Sequence, residues 1–116
     1  MEKRTAPKKA ELLPGTLEML ILKTLDRNGA PIHGYGIAQY IKQISNEVLQ
    51  VEEGSLYPAL QRLALKGWVR TDWGLSENNR RARFYKLTPA GRKQLTQEVA
   101  DFERTLAAIL RVLQPA

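Results

Sequence analysis

Apolar positions along the chain change period several times, and each change marks an element. Leu17, Met19, Leu20, Ile21, Leu22 and Leu25 recur so densely that they cover most of the circumference of a helix expected from about Thr16 to Arg27. Thr16 is its expected N-cap and Asn28–Gly29 its stop. A helix that apolar must be covered on more than one side. Ile37, Tyr40, Ile41 and Ile44 form a single stripe over a second helix, expected from Gly36 to Ser45 and entered through the tight HGYG sequence.

The stretch EEGSLYPALQRLALKGW, residues 52–68, combines helical spacing of Leu56, Leu60 and Leu63 with a proline at Pro58. Proline lacks the backbone donor and clashes with the carbonyl four residues back, so it is tolerated only near a helix start. This predicts a short helix at about 54–66, with Ser55 as N-cap, Pro58 in its first turn and Gly67 as a left-handed stop. A helical wheel sends Leu56, Ala59, Leu60 and Leu63 inward and Tyr57, Pro58, Gln61, Arg62 and Leu65 outward.

Two β-rich runs follow, WVRTDWGL and RARFYKL, around Ser76–Glu77–Asn78–Asn79–Arg80. They predict a hairpin over about 68–87, with Asn78–Asn79 suited to the positive φ of its turn. Thr88–Pro89, an N-cap followed by a proline, opens a last helix to about Leu113. Leu95, Val99, Phe102, Leu106, Ile109 and Leu113 step along it by four and three, a heptad seam. Such a helix is about 36 Å long, more than a domain of this size can cover, so a partner chain is the natural cover. The fold class expected is mainly α with a small β-hairpin (α+β), in the order helix, helix, short helix, hairpin, long helix. That is the layout of a winged helix-turn-helix with a long C-terminal dimerisation helix.

Composition narrows the chemistry. Eighteen basic against twelve acidic side chains give 116 residues a formal charge of +6, which favours an anionic partner. Between Glu52 and Lys93 nine residues are basic and four acidic, so the excess sits on the short helix and hairpin. There is no cysteine, which excludes disulfides, thiolate metal sites and a cysteine nucleophile. His33 is the sole histidine and is expected to hydrogen-bond locally in its turn; no metal or cofactor site and no catalytic constellation is expected, and the chain is not read as an enzyme. The two glycines of HGYGIAQ lack the third of a dinucleotide fingerprint and any βαβ setting. The charged start MEKRTAPKKAE and the short run LEMLILKTL, with Glu18 and Lys23, predict a cytoplasmic chain that does not enter a membrane.

In a DNA-binding reading, Gln61 suits adenine, Arg62 guanine or phosphate, and Ser55 and Tyr57 can donate to phosphates beside Pro58 at the helix start. Arg80, Arg81 and Arg83 at the hairpin turn suit phosphate or the minor groove. The alternative is a winged-helix protein-interaction module that takes an acidic protein on the same surfaces. The local charge favours double-stranded DNA.

The combination of LEMLILKTL, HGYGIA, EEGSLYPALQRLALKGW and FYKLTPAGRKQL resembles the PadR family of bacterial transcriptional regulators, and WGLSENNRRARFYKLT is similar to its acidobacterial-type subgroup. The resemblance implies a homodimeric winged-helix repressor whose last helix packs against the partner's first helix. The dimer interface would then comprise Leu17, Ile21, Leu95, Val99, Phe102, Leu106, Ile109 and Leu113. Some members of the family bind aromatic small-molecule effectors between subunits through aromatic residues of the last helix; here that helix has only Phe102. The domains expected are a disordered basic tail at 1–11, a DNA-binding domain at 12–88 and a dimerisation helix at 89–116.

Overall fold

The computed structural model describes Leu12 and residues 14–115; the tail expected at 1–11 lies outside the described residues. Four helices and three short strands follow in the order α1 (Pro14–Asn28), β1 (Ile32–His33), α2 (Gly34–Ile44), α3 (Glu53–Leu65), β2 (Val69–Leu75), β3 (Arg81–Leu87) and α4 (Pro89–Leu113). The strands form one antiparallel sheet in the order β1-β3-β2. The fold class is the α+β layout expected from the pattern, with one strand more than the hairpin alone.

The extra strand is β1, whose Ile32 and His33 pair with Tyr85 and Phe84. Two residues carry no period of their own, so this strand exists only because β3 lies beside it. Helix α1 begins at Pro14, two residues before the expected cap at Thr16, because a proline at the first helical position needs no N–H partner. Helix α2 likewise starts earlier than Gly36. His33 caps it, its Nδ1 accepting the Gly36 N–H at 2.9 Å, which is the local role expected of the single histidine.

Helix α3 corrects the expected start. Its N-cap is Glu52, without a side-chain capping bond, and both the Ser55 and Leu56 N–H groups bond to the Glu52 carbonyl, at 3.0 and 2.9 Å. Ser55 is therefore a residue of the first turn, and Pro58 lies inside the helix. The missing Pro58 N–H would have met the carbonyl of Gly54, a residue exposed to solvent, so water can take that acceptor. The stop is as expected: Gly67 is left-handed, φ 77°, directly after the C-cap Lys66.

Ile21, Leu22, Ile37, Leu56, Leu60 and Leu63 are fully buried and join α1, α2 and α3 in one core. Val69, Tyr85 and Leu87 close it from the sheet and Leu95 from α4. Three residues of the expected dimer seam take part in this core. Leu17, Ile21 and Leu95 are buried in the chain's own core, because α1 is enclosed by α2, α3, β3 and α4 of the same chain. Val99 is half-buried against that core. Beyond it α4 runs clear of the domain, with Phe102, Leu106, Ile109 and Leu113 at 42, 41, 49 and 72% exposure. The radius of gyration, 16.3 Å, exceeds the roughly 13 Å of a compact chain of this length for the same reason.

The root of α4 is packed tightly. Thr88 caps it by accepting the Gly91 N–H at 3.0 Å, and the Thr88 hydroxyl donates to the Gly67 carbonyl at 2.7 Å. A Cβ on Gly91 would collide with the Trp68 carbonyl and stand 2.8 Å from Leu87 Cδ1. Glycine is thus required where the last helix leaves the wing.

Candidate nucleic-acid interface

The buried stripe of α3 leaves its two flanks in different company. Toward the sheet, Tyr57, Gln61 and Ala64 line a groove of about 370 Å³ together with Thr71, Arg83 and Tyr85. Toward α1, Arg62 Nε donates to Glu18 Oε2 at 2.7 Å and Lys66 Nζ stands 3.9 Å from Glu18 Oε1. Ser55 and Pro58 are exposed between them at the N-terminal end, and Leu65 is exposed at the other.

The wing presents its arginines through strand register. Thr71 lies opposite Tyr85 and Trp73 opposite Arg83, so these residues, with Arg81, share one face of the hairpin. Tyr85 at the base of that face is buried, whereas Trp73 near the tip is exposed. The Arg81 and Arg83 guanidiniums lie 4.3 and 4.8 Å from the centre of the Trp73 ring, and Arg83 Nη1 donates to Thr71 Oγ1 at 2.7 Å. Stacking restricts these long side chains before any ligand arrives, which reduces the entropy lost on binding. The turn closes through the Ser76 N–H to the Arg80 carbonyl at 2.8 Å. Asn79 takes the positive φ expected there, 60°, while Asn78 does not.

A larger open groove, about 480 Å³, connects the wing to the start of α2. Its walls include Arg80, Arg81 and Arg83 on one side and Gly34, Tyr35 and Tyr57 on the other. Tyr57 is half exposed because its ring rests on Gly34, where a Cβ would stand 2.8 Å from Tyr57 Cε1. Among the described residues none of Arg80, Arg81 and Arg83 is ion-paired with a carboxylate, in contrast to Arg62. Unpaired cations on a concave surface with hydroxyl donors suit phosphate groups. Burial pushes the Tyr85 phenol above its usual range; Arg83 offsets part of this and Tyr57 adds to it.

The structure thus brings Tyr57, Gln61, Arg80, Arg81 and Arg83 to one groove system, places Ser55 and Pro58 at its open end and sets Arg62 on the far flank. Sequence reading missed Glu18, Tyr35, Lys66 and Trp73. Glu18 was visible only as a charge within LEMLIL, and its partner Arg62 lies 44 residues away. Among the described residues no cluster of three or more His, Asp or Glu could hold a metal ion, and no helix is long and apolar enough to cross a membrane.

A three-helix core with the third helix beside a cationic hairpin defines a winged helix-turn-helix protein. The chain matches the Transcriptional regulator PadR-like family over residues 21–97, and it belongs to that family. It is 32% identical over 79 residues to the transcriptional regulator Rv3488 of Mycobacterium tuberculosis, covering 68% of this chain and 70% of that protein. It is also 37% identical over 98 residues to a 37.1 kDa protein of transposon TN4556 from Streptomyces fradiae, covering 84% of this chain; it spans only 26% of that protein's length. Among solved structures it is similar to a transcriptional regulator from Clostridium thermocellum, with a TM-score of 0.77 and 28% identity over 86% of this chain and 95% of the other. A PadR-like transcription factor from Bacteroides fragilis gives 0.68 and 28% over 85% and 91%.

Proposed function

We propose that this chain is a homodimeric, sequence-specific DNA-binding repressor of the acidobacterial-type PadR subgroup, acting in the cytoplasm on an inverted-repeat operator. The observation that carries the reading is a pair of adjoining grooves that meet at Tyr57 and Arg83: one sets Gln61 of α3 with Arg83, and the other sets Tyr57 with Arg80, Arg81 and Arg83 of the wing. In this arrangement α3 enters the major groove and Gln61 reads a base edge, its amide matching the paired donor and acceptor of adenine. Ser55, Tyr57 and Pro58 form the end of α3 that approaches a phosphate, and the wing arginines grip the adjacent backbone or minor groove.

Family membership supports the regulatory role, and the exposed seam Phe102, Leu106, Ile109 and Leu113 supports a dimer. Two copies joined there would read half-sites about one helical turn apart, roughly 10 bp, or a small multiple of it. The test is a gel-shift titration on the region upstream of the chain's own gene, at two salt concentrations. Affinity that falls with salt and prefers this region over random duplex is expected; affinity flat with salt and indifferent to sequence refutes the proposal.

A further inference from the structure

Glu18 is an acidic residue in an apolar neighbourhood. It is 8% exposed, and its neighbours Leu17 and Met19 both belong to the core. A buried carboxylate is unfavourable unless paired, and an apolar side chain of similar volume would serve the packing of α1 as well or better. Packing alone therefore does not account for it. What distinguishes the site is the group it holds, the Arg62 guanidinium of α3, with Lys66 as a looser second partner.

The geometry of that bond is selective. Glu18 Oε2 takes the Nε hydrogen of Arg62 at 2.7 Å, and among the described residues the two terminal nitrogens make no hydrogen bond. Those terminal nitrogens form the fork that matches the O6 and N7 acceptors of guanine. The Arg62 side chain remains 44% exposed, so the fork is accessible while its root is tied down.

We propose that Glu18 is a positioning residue for base readout: it holds Arg62 by Nε and aims the terminal fork at a base pair, while its negative charge lowers affinity for DNA of any sequence. The inference rests on the DNA-binding reading above. It assigns different duties to the two flanks of α3. The wing flank supplies cations free to meet phosphates, and the α1 flank supplies one neutralised, directed cation for a base.

The test begins with duplexes selected by the full chain from a random library. The parent chain, Arg62→Ala, Glu18→Ala, Glu18→Gln and the Glu18→Ala/Arg62→Ala double variant are then titrated on the selected duplex and on its single-base-pair variants. Arg62→Ala is expected to erase preference at one base pair per half-site. Glu18→Ala should lose roughly tenfold of discrimination at that same base pair, keep the others, and bind random duplex more tightly. Glu18→Gln, which keeps an acceptor, should retain most of the discrimination, and the double variant should lose no more there than Arg62→Ala.

Unchanged preference in Glu18→Ala, equal flattening at every position, or no positional change in Arg62→Ala would each overturn the inference. If Glu18→Ala fails to fold by circular dichroism, Glu18→Asp replaces it, because the shorter side chain must misplace the fork and show the same positional loss. A library that yields no enriched sequence at all would instead remove the DNA reading, and the inference with it.

Discussion

The adjoining grooves between α3 and the wing present Tyr57, Gln61 and three arginines without carboxylate partners among the described residues, whereas the outer half of α4 presents Phe102, Leu106, Ile109 and Leu113. Both surfaces are exposed, and each concentrates one kind of side chain. In the first, the excess is of positive charge, with Arg81 and Arg83 held by stacking on Trp73, which suits a polyanionic partner that releases its condensed counterions on binding. In the second, the excess is of apolar area along a heptad seam, which suits a second helix of the same pattern. The comparison teaches that exposure alone says little; the chemistry left exposed specifies what must cover it.

The largest expected effect breaks the apolar side. Leu106→Asp or Phe102→Asp should convert dimers to monomers in sedimentation velocity, weakening association by about 3–5 kcal/mol, since a charge would be buried unpaired in the seam. An unchanged dimer would mean that this seam is not the interface. Gly91→Ala tests the joint between the two surfaces: the added methyl must displace the Trp68 carbonyl or Leu87, and a loss of about 1–3 kcal/mol in urea unfolding is expected. Wild-type stability in that variant would refute the tight packing at the root of α4.

Two substitutions sharpen the polar side. Gln61→Ala should weaken binding to the cognate duplex by about 1–3 kcal/mol, with little change on random DNA. Arg81→Ala should weaken all sequences alike and reduce the slope of log affinity against log salt by about one. Identical, sequence-independent losses in both would erase the division between reading and gripping.

The smallest effect concerns Tyr85, where the groove meets the core. Burial raises its phenol above the usual value near 10.0, so the folded state holds this proton more tightly than the unfolded chain does. Its contribution to stability is complete below about pH 10 and declines as pH rises through the folded value. Urea midpoints of the parent chain measured on either side of that range should fall with pH more steeply than those of Tyr85→Phe; equal slopes would count against burial as the cause.

Much of the fold was legible because its signals are local. The Thr88 cap bonds Gly91 three residues on, Gly67 stops α3 by its own φ, and Asn79 turns the wing by its own φ. The start of α3 was misplaced because Ser55 offered a familiar cap, while the helix begins at Glu53 with an exposed glycine, Gly54, where the carbonyl opposite Pro58 must be accommodated. Strand β1 and the Glu18–Arg62 pair were not legible, since each depends on a residue brought close only by folding.

The sequence by itself determined the order of the four helices and the hairpin, the inward face of α3, the cationic wing and the apolar seam of the last helix, because each follows from periodicity, caps and turn residues within a few positions. Tertiary structure alone decided which apolar residues the chain uses for itself. Leu17, Ile21 and Leu95 are enclosed while Phe102, Leu106, Ile109 and Leu113 are not, although the seam has one unbroken period from Leu95 to Leu113. It likewise decided that Arg62 is held by Glu18 while Arg81 and Arg83 stack on Trp73. The physical reason is that burial and pairing depend on what lies across space, and a repeat along one chain does not encode where its own core ends.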